Sequence, residues 1–282
     1  MTRGSPLSAG KASVVGRKHD NLPDMSRSGL ISTFLVMTIF VMTILLAPAA
    51  RSQDAAPPPV GGVISPPDAM IFYLAHGRDG ACGQNCSEWI AAEGVVEWDT
   101  FKRLFAFAAR LGERKVPVIL NVGGQSDLKV AMSLGKIIRD RGLDVSVGRT
   151  VVAECADAKD AACLALKRSG KSLDAAIDNS AVDCSFACVL ILAGGVHRTL
   201  PPDTKVVIGS THVRDRFAPN VSEERQKGLQ AYYGDQFRLY LTQMGVAAEV
   251  ADILERNATS GHATQILPAG WLRFGIVTGP AP

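Results

Sequence analysis

The sequence predicts a single α/β domain that follows an N-terminal export segment. Short apolar runs of strand length alternate with amphipathic helical segments, several of which end in glycine, and this alternation indicates the fold class. An apolar run at residues 30–47, followed by a stretch rich in Pro and Ala, indicates the export segment. About 230 residues remain beyond that run, which is enough for one sizeable hydrophobic core.

Residues 1–49 are predicted to be either a signal peptide or an uncleaved membrane anchor. The apolar run ends in Ala47-Pro48-Ala49, a small-x-small pattern typical of cleavage sites, and Met25 is an alternative start. The same run is about long enough to span a bilayer. Basic residues before the run place the remainder on the exported side. The protein is therefore expected in the periplasm, soluble or tethered to the inner membrane by residues 30–47.

Composition sets further limits on the folded part and its partners. Residues 50–68 are predicted to be a flexible linker and residues 69–282 the folded domain. Residues 1–49 hold five of the 30 basic and two of the 27 acidic residues, so 25 of each remain. Because the remainder is formally neutral, no nucleic-acid partner is expected, and membrane contact is expected only through the N-terminal segment.

The first half of the domain is predicted to alternate strands and helices in a parallel α/β architecture. Thr100 is expected to cap the first helix and Gly142 to end the second. In the first helix, the expected core-facing residues are Phe101, Leu104, Phe105, Ala108 and Leu111, and the expected solvent-facing residues are Lys102, Arg103 and Arg110. The predicted elements are strands at 69–74, 88–96 and 116–121 and helices at 100–111 and 128–141.

The second half is predicted to repeat this alternation around an insertion of mixed character. The predicted elements are a strand at 145–153, the insertion at 156–181, a helix at 184–193, a strand at 205–212, helices at 222–245 and 247–257, and a final segment at 265–277. The apolar stripe within residues 229–254 fits packing on the chain's own sheet and assembly into a homo-oligomer equally well.

Short motifs occur in a defined order along residues 69–277. They are AEGVV at 92–96, PVILNVGG at 117–124, GKIIR at 135–139, the cysteine pair at 184 and 188 followed by AGGVHR at 193–198, and IGSTH at 208–212. Their order resembles the Clp protease proteolytic subunit and crotonase superfamily, and within it a group of exported bacterial proteins. The resemblance implies a single domain built as a spiral of β-β-α units, and relatives of this fold form oligomers.

The resemblance also implies a serine-peptidase site. Backbone N–H groups of Gly123 or Gly124 and of Ala187 would form the oxyanion hole, and the nucleophile is expected at position 186. This chain has Phe186 there, and a phenyl ring is not a nucleophile. Ser185 stands one residue earlier, which turns its hydroxyl by about 100° on a helix.

The other members of the implied triad also depart from the pattern. His212 follows Ser185 at a suitable separation and is the candidate base. The third member is expected near Thr264, where the sequence has no carboxylate; His262 and Asp252 are the nearest substitutes.

Two hypotheses follow from these departures. In the first, which is favoured, the protein is a non-catalytic binding or assembly module in which Phe186 lines an apolar groove for a peptide or acyl ligand. In the second, it is a periplasmic serine hydrolase that uses Ser185 and His212 as a displaced pair. Acyl-CoA chemistry is not expected, because CoA is a cytoplasmic cofactor, and no cofactor is predicted.

Six cysteines all follow the apolar run, as expected for disulfides in an oxidising compartment. Cys82 and Cys86 are expected to pair locally, although their spacing with a histidine would also suit zinc; no metal is predicted. Three pairings remain for the other four, Cys155, Cys163, Cys184 and Cys188. Because a Cys184–Cys188 bond along one helix would be strained, a bond from Cys155 or Cys163 to one of these two is favoured. His197 is expected to be a surface or capping residue, and His76 to lie in the glycine-rich loop before Cys82.

Overall fold

The structure, a computed structural model, describes residues 66, 68–155, 161–209 and 222–279. The predicted signal or anchor, nearly all of the linker and His212 lie outside the described residues. Within them no helix has the length and apolar character to cross a bilayer. Their strands are β1 (Ile71–His76), β2 (Glu88–Val95), β3 (Val118–Gly123), β4 (Val145–Val147), β5 (Arg149–Val152), β6 (Leu173–Asp178), β7 (Asp183–Ser185), β8 (Lys205–Ile208) and β9 (Thr264–Ile266). Their helices are α1 (Thr100–Leu111), α2 (Leu128–Arg141), α3 (Ala161–Lys167), α4 (Phe186–Ala193), α5 (Glu223–Gln243), α6 (Glu249–Ser260) and α7 (Pro268–Arg273).

The strands form two sheets, and the α/β class is confirmed. The larger sheet has the order β4-β3-β2-β1-β6-β5, and the smaller has the order β7-β8-β9. The alternation of strands and helices suggested parallel strands only, whereas the larger sheet is mixed. β2, β3 and β4 pair in parallel, while β1 is antiparallel to β2 and β5 is antiparallel to β6.

The larger sheet curls until its two ends meet. β4 and β5 stand at opposite ends of the strand order, yet only Gly148 separates them in the chain. The Gly148 N–H donates to the carbonyl of Leu120 on β3 at 2.9 Å. A Cβ at Gly148 would lie 2.8 Å from the Asn179 side chain, so glycine is required at this corner. The single strand predicted at 145–153 is therefore two strands with different partners.

The curled sheet encloses a core of its own. Tyr73, Trp89 and Ile119 lie in it, and the Trp89 indole N–H donates to Thr150 Oγ1 at 3.0 Å. Part of this core comes from the insertion predicted at 156–181, whose β6 pairs with β1. That insertion is thus part of the sheet, and its α3 also contributes apolar side chains, Leu164 and Leu166.

A buried polar group lies beside this core. Lys167, at the end of α3, is 3% exposed and forms an ion pair with Glu93 of β2. Tyr73 donates its hydroxyl to Glu93 at 3.2 Å, and the Lys167 ammonium lies 5.5 Å from the centre of the Tyr73 ring. Burial, together with the Glu93 charge, raises the pKa of Tyr73 far above its usual range. Each charge therefore has a partner close by.

Helix α2 has the predicted bounds, whereas α1 is rotated from its predicted orientation. Asp127 caps α2 by accepting from Lys129 N and Val130 N, and Gly142 ends it in the left-handed conformation. In α1, Arg103 is buried and donates to Asp99 at 2.9 Å, while Phe105 is 63% exposed. Phe101 is also exposed, whereas Leu104 and Ala108 are buried as predicted. The predicted inward face of α1 was therefore wrong at its two phenylalanines and at Arg103.

Helices α2 and α4 cross at two glycines. A Cβ at Gly194 would lie 2.1 Å from the carbonyl oxygen of Gly135. A Cβ at Gly135 would lie 1.9 Å from the Tyr240 hydroxyl oxygen, and that hydroxyl donates to the Leu190 carbonyl at 2.7 Å. The absence of both side chains lets the helix backbones touch, which fixes α4 against the domain.

Two arginines satisfy the carbonyls that end α4 and α5. Arg198, 5% exposed, donates to the carbonyls of Ala193, Gly195, Met244 and Gly275 at 2.9–3.3 Å. Arg139 donates to two of the same carbonyls. Burial lowers the pKa of Arg198 to about 10, so the group is charged at neutral pH.

Candidate functional site

The candidate site is built around the junction between β7 and α4. The helix predicted at 184–193 is shorter than expected, because residues 183–185 form β7, which pairs in parallel with β8. Ser185 stands at the N-cap position with an extended backbone (φ −72°, ψ 174°), and its side chain makes no capping hydrogen bond. The residue is partly buried. Its hydroxyl is therefore not committed to the helix end.

Phe186 lies in the core rather than in a groove. The residue is 3% exposed, and its ring meets the Phe237 ring of α5 edge to face, with centroids 5.5 Å apart. The described residues therefore form no groove lined by Phe186, and this prediction was wrong. The ring occupies the first position of a helix whose eight residues are all buried, and there it supports α5.

A disulfide spans the same junction. Cys184, the middle residue of β7, is bonded to Cys188 in the first turn of α4, and both residues are fully buried. The favoured bond from Cys155 or Cys163 to this pair was wrong, since Cys155 is bonded to Cys163. Cys184 lies in a strand, so the strain expected along one helix does not apply. The predicted Cys82–Cys86 bond is confirmed.

The glycine loop leaves the end of β3, a strand that contacts both β7 and α4. Gly124 has a φ of 56°, and a Cβ there would lie 2.7 Å from a Val95 methyl group, so both conformation and space require glycine. The Ser126 hydroxyl donates to the Gly123 carbonyl at 2.9 Å and accepts from Val96 N at 3.0 Å. The loop is thus fixed, and the elements that carry Gly123, Gly124 and Ala187 adjoin one another.

The position expected for the third triad member is part of a chain of hydrogen bonds that sequence reasoning missed. The Thr264 hydroxyl donates to Asn257 Oδ1 at 3.1 Å, and Asn257 Nδ2 donates to the Ile208 carbonyl at 2.7 Å. Asn257 is 5% exposed. It holds the end of β8, the strand that leads toward His212.

The two substitutes considered for that position have other roles. Asp252 accepts from Arg238 Nε at 2.8 Å within an ion-pair cluster that also holds Asp235 and Glu255. His262 is exposed at the end of α6. The described residues therefore bring no carboxylate to Thr264.

Two further histidines among the described residues, His76 and His197, are exposed. His197 was expected at the surface, whereas His76 is the last residue of β1 rather than part of the predicted loop. His76 pairs with Asp174 at 2.7 Å, and His197 pairs with Asp144 at 2.8 Å. Among the residues that the structure describes, no cluster of three or more His, Cys, Asp or Glu side chains is arranged to hold a metal ion.

A separate apolar cavity of about 440 Å³ lies beside α7. Its wall includes the buried Leu200, Trp271 and Val277 and the exposed Ala269 and Leu272. The Trp271 indole N–H is already bonded to the Ile266 carbonyl at 3.0 Å, so the ring offers the cavity an apolar surface. The volume falls within the range of small-molecule sites, about 300–1,000 Å³. No local sequence pattern indicates this cavity, because its wall joins segments about 70 residues apart.

Comparisons with known proteins find similar solved structures. No protein-family model matches the chain, and no curated protein does either. One similar structure is the 1510-N membrane-bound stomatin-specific protease in complex with a substrate peptide, with 14% identity and a TM-score of 0.36 over 64% of this chain and 66% of that one. Another is the 1510-N membrane protease specific for a stomatin homolog from Pyrococcus horikoshii, with 15% identity and a TM-score of 0.32 over 64% and 63% of the two chains.

A third is a ClpP1 mutant from Listeria monocytogenes, with 10% identity and a TM-score of 0.39 over 75% of this chain and 89% of that one. These structures are of the Clp-like kind that the sequence motifs resemble. The chain spans less than two thirds of the length of the stomatin-specific proteases. At these TM-scores the likeness says nothing about the site, which is described from this chain's own residues.

Proposed function

We propose that this protein is an exported, non-catalytic module that binds an apolar group, such as an acyl chain or an apolar peptide side chain. The packing of Phe186 against Phe237 carries the proposal, because it places an inert ring in the core where a nucleophile would be needed. Export is supported by the pairing of all six cysteines in disulfides.

The cavity beside α7 is the proposed binding site. Leu200, Trp271 and Val277 give it a largely apolar wall, to which Thr199 adds one hydroxyl-bearing side chain. Such a wall favours a group that loses apolar surface to it and needs few hydrogen bonds. An unbranched acyl chain and a long aliphatic peptide side chain share that chemistry.

Binding is tested by calorimetric titration of the full chain with two ligands, sodium decanoate and N-acetyl-trileucine amide. We expect Ala269→Trp to fill the cavity and weaken binding at least about tenfold, since its indole would occupy the ligand's volume. Leu267→Trp is the matched control, because Leu267 is 64% exposed and outside the cavity wall. Preference for decanoate would identify an acyl ligand, and preference for the peptide would identify a side-chain ligand. Equal binding by both variants would place the ligand elsewhere.

The alternative function, a serine hydrolase, is favoured by one observation. The Ser185 hydroxyl is partly buried beside the N-terminus of α4 and makes no capping bond, so it is available to react. This second candidate requires His212, which lies outside the described residues, as its base.

A fluorophosphonate probe distinguishes the two functions. We expect the oxidised protein to show no adduct by intact-mass spectrometry, because Ser185 has no described base and Phe186 stands in the nucleophile's place. An adduct that is lost in both Ser185→Ala and His212→Ala, but retained in the surface control Ser169→Ala, would instead establish the hydrolase.

A further inference from the structure

An aromatic stripe on α1 is exposed without a partner among the described residues. Trp98 lies two residues before α1, and Phe101 and Phe105 share one side of the helix through their four-residue spacing. These three residues, the aromatic stripe, are 57%, 36% and 63% exposed. The adjoining side of α1 is buried through Leu104, Phe107 and Ala108. Contiguous exposed aromatic surface of this kind marks an interaction site more often than chance exposure.

One basic side chain, Lys102, lies against the stripe, and the half-buried Glu97 precedes Trp98 in the sequence. The Lys102 ammonium lies 5.2 Å from the centre of the Trp98 ring and 6.0 Å from that of Phe101. The nearby Asp99 is buried and bonded to Arg103, so it faces away from the stripe. Exposed Trp and Phe flanked by Lys are the side chains that favour the interface between lipid headgroups and acyl chains.

The first described residues of the domain, Asp68 to Met70, lie beside this stripe. Val95 N donates to the Asp68 carbonyl at 2.8 Å, and Met70 N donates to the Val95 carbonyl at 2.7 Å. Val95 precedes Trp98 by three residues, so the first described residues of the domain lie next to the stripe. Only 20 residues separate Asp68 from the apolar run at 30–47, whose length suits a bilayer.

From these observations the geometry points to a membrane-docking face: Trp98, Phe101 and Phe105 insert into the lipid interface while Lys102 meets the headgroups. The inference rests on the predicted membrane segment at residues 30–47 and not on ligand binding beside α7. A bilayer is favoured over a protein partner because the segment that adjoins the stripe is joined, through only 20 residues, to the one predicted to enter a membrane.

The chain's tryptophans provide a direct test. Of Trp89, Trp98 and Trp271, the first and last are 0% and 3% exposed, and residues 1–65 contain no tryptophan. The full chain is reconstituted in vesicles of phosphatidylcholine and phosphatidylglycerol, with and without dibrominated acyl chains, and its tryptophan fluorescence is measured. We expect quenching by the brominated lipid that is lost in Trp98→Phe. We also expect the double variant Phe101→Ser/Phe105→Ser to reduce the quenching about twofold or more, because it removes most of the inserted apolar surface.

A matched control separates docking from mere tethering. The double variant Tyr232→Ser/Leu239→Ser alters exposed apolar residues of α5, 58% and 55% exposed, and is expected to leave the quenching unchanged. No quenching in the wild type, or equal quenching in both double variants, would overturn the proposal. So would a Trp98 emission maximum that depends on protein concentration rather than on lipid, which would identify a second copy as the occupant.

Discussion

Replacement of Gly135 by alanine is expected to destabilise the protein by about 3–5 kcal/mol, a large fraction of the stability of a typical domain. The new methyl group would lie 1.9 Å from the Tyr240 hydroxyl oxygen and 2.7 Å from the Leu190 carbonyl oxygen. It would therefore both force the helices apart and break the buried bond between those two groups. Urea unfolding of the oxidised protein, followed by circular dichroism, measures the loss.

The chain offers a control for helix propensity. Gly228 lies in α5 with no atom within 4 Å of an added Cβ, so Gly228→Ala is expected to stabilise the protein by about 0.5–1 kcal/mol. In the Gly135→Ala background, Tyr240→Phe should cost less than in the wild type, because the hydroxyl that it removes is already displaced. A Gly135→Ala protein as stable as the wild type would contradict the α2–α4 contact.

Replacement of Arg198 by methionine is expected to lower the free energy of unfolding by about 3–5 kcal/mol. Methionine fills similar volume but leaves the carbonyls of Gly195 and Gly275 without their donor. Each buried carbonyl that loses its partner costs about 1–3 kcal/mol, and Arg139 can still serve two of the four. The same urea titration measures this loss.

Arg198→Lys tests whether charge alone is sufficient. A single ammonium cannot reach carbonyls that surround a planar guanidinium, so this variant should also be clearly destabilised. Arg273→Met serves as the control, since Arg273 is exposed and lies over the Phe274 ring. If Arg198→Met were no less stable than Arg273→Met, the carbonyls would have found other donors, and the proposed role of Arg198 would fail.

The elements that the sequence predicted well are those with local signals. Helix α2 has its cap at Asp127 and its left-handed glycine at Gly142, and both ends lie where predicted. The face of α1 was predicted wrongly because the burial of Arg103 depends on its partner Asp99, which hydrophobic spacing does not register. The break at Gly148 depends on closure of the whole sheet, a long-range feature without a local pattern.

In the candidate site, too, features with a local sequence signal were predicted and features that depend on long-range contacts were not. The order of the motifs predicted that Phe186 replaces the expected nucleophile at the start of a helix, and Phe186 is the first residue of α4. It did not predict that Phe186 packs on Phe237, about 50 residues later in the sequence, because that contact depends on where α5 crosses. The hydrogen bonds that link Thr264, Asn257 and Ile208 were missed for a similar reason, since they join three separate elements.

The disulfides have a consequence for how the protein matures. Their sequence separations are only four, eight and four residues. Short loops close at a smaller entropic cost than long ones, so among the many pairings that six cysteines allow, neighbouring thiols meet most often even in an unfolded chain. Oxidation can thus yield the native bonds before the helices and sheets assemble. The close spacing of the bonded cysteines thus favours the native pairing, and reshuffling of disulfide bonds need not delay folding.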